Sequence, residues 1–67
     1  MDARIKTELN KQGIMVTDVV MGGHRLHYIV HQKDGTFLYT DPFMVHSNVM
    51  FNDLEAAVHH AITVGKL

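Results

Sequence analysis

Six histidines are the residues best suited to chemistry in this 67-residue chain: His24, His27, His31, His46, His59 and His60. Imidazole titrates near neutrality, moves protons and ligates metals. Spacing decides what these rings can do together. A zinc-type site needs ligands converging at about 2.0–2.1 Å. His27 and His31 fall on one face of a strand, where four residues of extended chain separate them by about 13 Å. His59 and His60 are neighbours on a helix and diverge. Glu55 and His59 stand four apart, a spacing that supports a helix more readily than it ligates. No His-x-His pair shares a strand face, and no HExxH occurs. The pattern predicts no metal and no cofactor. His59 and His60, near a helix C-terminus, are expected to favour the protonated form. His27, placed beside Asp18, is expected to do the same.

Other catalytic sets are missing too. Ser47 is the one serine and Cys is absent. Ser47 directly follows His46, and sequence neighbours rarely have the geometry of a nucleophile and its base. Asp34 and Asp41 are explained by turn positions. Gly22-Gly23 opens no helix, so it is no phosphate loop. The reading is a protein that is not an enzyme. Nucleic-acid binding is disfavoured as well. Six Lys/Arg against seven Asp/Glu give a net charge of −1, whereas backbone phosphates demand clustered cations.

Length bounds the architecture. Residues 1–67 are expected to form one domain, because domains rarely fall far below about 50 residues. At 46% hydrophobic content and near-zero charge the chain should fold rather than stay disordered. No run of about 18 apolar residues exists to span a membrane. The charged start MDARIKTELN lacks a signal-peptide core, so a cytoplasmic location is expected. So short a chain buries only about 60% of its unfolded surface, and self-association as a homodimer is one remedy.

The elements that must position the histidines follow from local patterns. Asp2 can cap an N-terminal helix with Ile5 and Leu9 on one face, and Gly13 suits its left-handed end. Ile14 to Met21, His24 to Gln32 and Thr36 to Thr40 read as strands. Gly22-Gly23 and Asp34-Gly35 read as two-residue hairpin turns. Residues 43–51 hold either a short fourth strand or a pinned loop. Asn52 with Glu55 makes a capping box, and Leu54, Ala57, Val58, Ala61 and Ile62 keep helical spacing. The expected fold class is α+β: a three-stranded antiparallel meander flanked by an N-terminal and a C-terminal helix, αβββα.

Two-residue turns fix a register in which Val20 opposes Arg25, Asp18 opposes His27 and His31 opposes Leu38. One face then collects Met15, Thr17, Val19, Met21, Leu26, Tyr28, Val30, Phe37 and Tyr39, the face for the helices. The other collects Ile14, Val16 and Thr36 with seven further residues: Asp18, Val20, Arg25, His27, Ile29, His31 and Leu38. Exposed antiparallel faces normally read polar, and open apolar area tends to mark a contact site. Those seven residues are therefore the expected contact set of a non-catalytic module that docks on a partner protein. A compact Cys-free domain of this kind also resembles small phage or mobile-element inhibitors of host systems.

Gly22-Gly23-His24, with Asp34-Gly35 at the following turn, carries a further likeness. The first triplet is similar to the Gly-Ser-His that starts the second strand of HicA toxins, and the expected element order resembles the double-stranded-RNA-binding-domain architecture which that family shares. The resemblance implies RNA binding or cleavage with His24 as the cleaving residue. Gly23 stands where the family has Ser, and the family's basic character has no counterpart.

Overall fold

Two turns of the same build set the sheet. In the first, the Asn10 N–H donates to the Ile14 carbonyl at 2.9 Å and the Gly13 N–H to the Asn10 carbonyl at 3.0 Å. In the second, the Gln32 N–H donates to the Thr36 carbonyl at 2.9 Å and the Gly35 N–H to the Gln32 carbonyl at 3.1 Å. Each loop has three residues and ends on a glycine at positive φ, 78° for Gly13 and 88° for Gly35. A β-turn followed by a left-handed residue is a common three-residue hairpin. Side chains brace both loops. Asn10 Oδ1 accepts the Gln12 and Ile14 amides at 2.9 and 3.0 Å. Asp34 Oδ1 accepts the Thr36 amide at 3.0 Å. The Thr36 hydroxyl, together with that amide, holds the Asp34 carboxyl below its usual pKa.

These turns join strands of a computed structural model that describes residues 3–21 and 25–65. The elements are β1 (Ala3–Leu9), β2 (Met15–Met21), β3 (Arg25–His31), β4 (Phe37–Thr40), β5 (Val49–Phe51) and one helix, α1 (Leu54–Gly65). The strands lie in chain order β1-β2-β3-β4-β5, each antiparallel to the next.

The αβββα expectation is corrected: the N-terminal segment is a strand, and the sheet has five strands. Ile5 and Leu9 are four apart, which fits a helix stripe but equally fits alternate positions on a strand. Only two apolar residues mark that stripe, too thin to hold a helix. Pairing with β2 from Ala3↔Met21 to Leu9↔Met15 satisfies the backbone instead. Gly13 is left-handed as expected, but it closes a hairpin. The expected helix cap Asp2 and the Gly22-Gly23 turn lie outside the described residues.

The register is corrected by one residue at both later hairpins. Val20 pairs with Leu26, Asp18 with Tyr28 and Val30 with Leu38. A three-residue loop displaces the return strand by one, and a one-residue slip moves a strand's side chains to the other face. Two slips cancel at β4, so β3 alone is inverted. Val19, Met21, His27, Ile29 and Tyr39 share the face under α1, and all are buried.

The helix begins one residue later than Asn52 capping would allow. Asp53 is the cap, its Oδ2 accepting the Ala56 N–H at 3.3 Å. Ala57 and Ala61 are fully buried, with Leu54, Val58, Ile62 and Val64 packed around the core of Val19, Ile29 and Tyr39. Small residues on the inner stripe let the helix lie close on the sheet. A Cβ at Gly65 would stand 2.8 Å from Met21 Cγ and 3.4 Å from His27 Nε2.

Candidate functional site

The two sheet faces divide the residues that the sequence pattern groups together. On the helix side of the sheet lies a polar cluster, buried at Thr17, His27 and Tyr39 and open to solvent toward His31 and Thr7. His27 Nδ1 and Tyr39 Oη are 2.7 Å apart, with the rings stacked at 5.5 Å. His31 Nε2 is 2.6 Å from Thr17 Oγ1, which also meets Thr7 Oγ1 at 2.7 Å. Both histidine contacts run diagonally across strand pairs, one on each side of Ile29. His60 reaches down from α1, edge-on to Tyr39 at 4.7 Å and tilted against Phe51 at 5.2 Å. Burial pushes its pKa down, and the neighbouring His46 adds to that. The expectation of a favoured imidazolium at His60 is thus corrected: desolvation outweighs the helix end. His59 is exposed. Among the described residues, no three His, Asp or Glu side chains converge as a metal site would require.

The opposite face is open. Side chains form rows across the strands. Lys6, Asp18, Tyr28 and Thr40 make a polar row through successive pairings. Glu8, Val16, Val30, Leu38 and Met50 make the row on one side of it. Arg4, Val20 and Leu26 lie on the other. Val16, Asp18, Val20, Leu26, Tyr28, Val30, Leu38 and Thr40 are all half-buried. Between Glu8, Val16, Asp18, Tyr28, Val30 and Thr40 the sheet forms an open trough of about 430 Å³.

The expected contact set is therefore divided. Asp18, Val20 and Leu38 lie on the open face. His27 and Ile29 are fully buried beneath α1, and His31 packs against Phe37 at 5.0 Å on the same side. Arg25 pairs with Met21 at the start of β3, not with Val20. Ile29 is a core residue and cannot meet a partner. His27 does not stand beside Asp18; Tyr28 does. Tyr28 and Val30, expected on the covered face, are central to the open one. The sequence signal for the β3–β4 half of this register shift is the likeness of Gln32–Gly35 to Asn10–Gly13, two polar–Lys–polar–Gly loops that share one turn geometry. His24 lies outside the described residues.

A second exposed feature follows Asp41. This carboxylate is buried, and its Oδ1 and Oδ2 accept the Phe43 and His46 amides at 2.9 and 3.1 Å. The Met44 N–H donates to the Asp41 carbonyl at 3.0 Å, and Met44 has φ 58°. The loop so held presents Phe43, Met44 and Val45 to solvent. From sequence, Asp41-Pro42 reads only as a break. An Asp that bonds the amide two residues on is a recurrent turn builder.

Comparison of the chain with protein-family models, with curated proteins and with solved structures finds no match.

Proposed function

We propose that this chain is a non-catalytic protein-interaction module that docks on a partner protein through its open sheet face. One observation carries the reading: among the described residues, a single helix covers one side of a five-stranded sheet and leaves apolar side chains on the other without a layer over them. Val16, Val20, Val30 and Leu38 supply area that gains about 25 cal/mol per Å² when removed from water. Asp18 and Tyr28 sit between them as hydrogen-bonding groups. The surface suits a protein segment with apolar side chains flanking a donor directed at Asp18. The net charge of −1 argues against a phosphate backbone as the ligand. Occupying a partner's surface is a mode of inhibition open to so small a domain, as in a phage or mobile-element inhibitor of a host system.

The test pairs the parent with Val30→Glu, which places a charge in the middle of the open face without touching the core. Immobilised parent should retain a defined protein from host extract, and Val30→Glu with native far-UV circular dichroism should lose it. Retention of the same protein by the folded variant rejects this surface. So does a parent that retains nothing above the blank resin.

A further inference from the structure

We propose that strand β1 is a self-complementary edge on which a second copy of this chain adds, antiparallel, about a twofold axis at Thr7. β1 is the edge of the sheet, paired on one side with β2 alone. Seven residues long, it is an extended edge of the kind natural proteins usually blunt. Its helix-side residues are not covered: α1 packs on β2 to β5, and Ile5 and Leu9 remain 51% and 62% exposed.

Backbone alternation says which groups are free. The Asn10 amide bonds to Ile14. In an antiparallel ladder every second residue is bonded to the same neighbour, so Glu8, Lys6 and Arg4 are bonded to β2. The N–H and C=O groups of Ile5, Thr7 and Leu9 therefore point away from the sheet. These are the groups an added strand needs.

The side chains specify what that strand is. Around Thr7 the run Ile5-Lys6-Thr7-Glu8-Leu9 is self-complementary when paired antiparallel with itself: apolar, cation, Thr, anion, apolar. Antiparallel pairing of two copies at Thr7 sets Ile5 against the second copy's Leu9 on the helix side. On the open side it sets Lys6 against the second copy's Glu8. Each contact occurs twice by symmetry, as an isologous interface demands. Within one chain Lys6 Nζ and Glu8 Oε2 are 3.6 Å apart and both side chains are well exposed, so both can turn to a second copy. Shifting the axis to Lys6 would oppose two lysines and set Ile5 against Thr7. That register still sets Arg4 against the second copy's Glu8, but it brings two lysines together at the axis and loses the Ile5–Leu9 apolar pairing. The product is a ten-stranded sheet with both helices on one side. Glu8 belongs to both this edge and the rim of the trough, but Val30 lies two strands away on β3, so Val30→Glu and the charge variants test the two readings apart.

Sedimentation equilibrium from micromolar to near-millimolar protein tests it. The mass should rise from monomer to dimer and stop there. Lys6→Glu and Glu8→Lys each replace two opposite-charge pairs by two like-charge pairs, and each should weaken dimerisation about tenfold or more. An equimolar mixture of the two variants should dimerise, because one chain then carries two anions at positions 6 and 8 and the other carries two cations. The double variant, in which the two charges are exchanged, should dimerise by itself. A parent that stays monomeric throughout, or single variants that dimerise like the parent, or a mixture that does not associate, overturns the proposal.

Discussion

Tyr39→Phe removes a single oxygen from the centre of the molecule, and its cost can be worked from the structure. Tyr39 and His27 are both fully buried, and the substitution removes the 2.7 Å hydrogen bond between Oη and Nδ1. The stacked ring geometry at 5.5 Å survives in phenylalanine, so packing changes little. Depriving a buried polar group of such a partner costs about 1–3 kcal/mol. Globular domains hold roughly 0.05–0.15 kcal/mol per residue, so a chain this short has only about 3–10 kcal/mol in total. The variant should therefore lose a large share of its stability, and each kcal/mol should lower the melting midpoint by about 4–8 °C. His27→Leu attacks the same bond from the other side. When both partners are replaced by apolar groups, neither atom of that bond is left behind. The double variant should thus cost less than the sum of the singles by about 1 kcal/mol or more. Urea unfolding followed by far-UV circular dichroism reads all three, since the chain has no Trp. A Tyr39→Phe variant within about 0.5 kcal/mol of the parent would refute the reasoning, and strictly additive singles would do the same.

The two hairpin glycines should respond alike. Gly13 and Gly35 both have positive φ, and a Cβ at either would meet nothing within 4 Å. Gly→Ala should then cost only the backbone term, about 1–2 kcal/mol at each site, and Gly→Asn less; unequal alanine costs in urea titrations would contradict the shared geometry. His60 should make stability pH-dependent. Its folded pKa lies below the usual 6.5, so the unfolded chain takes up the proton first. Stability from this residue is whole above about pH 6.5 and declines as pH falls through the folded pKa. His60→Gln should flatten that acid limb in thermal melts, and an unchanged slope would count against it.

What can be read from the sequence differs sharply by element. The C-terminal helix is legible because Leu54, Ala57, Val58, Ala61 and Ile62 repeat at one period only, although its cap is Asp53. β2 is legible as a strand through its β-branched residues, and its buried side follows from the pattern. β3 is legible as a strand but not in its orientation. Leu26, Tyr28 and Val30 on one side and Ile29 on the other are all apolar, so composition does not fix the inward face. Only the loop length does. The Asp34-Gly35 pair signals a hairpin without saying whether Lys33 belongs to the loop or the strand. That residue, together with the equal one-residue shift of β3 against β2, moves His27, Ile29 and His31 from an expected contact surface to the side beneath the helix. β1 is illegible for a different reason: four-residue spacing satisfies both helix and strand, and a neighbouring strand makes the choice.

The position of α1 at the end of the chain order has a consequence for synthesis. All five strands precede it, and each can pair with its predecessor as it leaves the ribosome. The side of the sheet carrying Val19, Ile29 and Tyr39 has no cover until Leu54–Gly65 emerges. A nascent or prematurely stopped chain would display this side to chaperones and proteases. Emergence of the helix is then the step that gives this side of the sheet its cover.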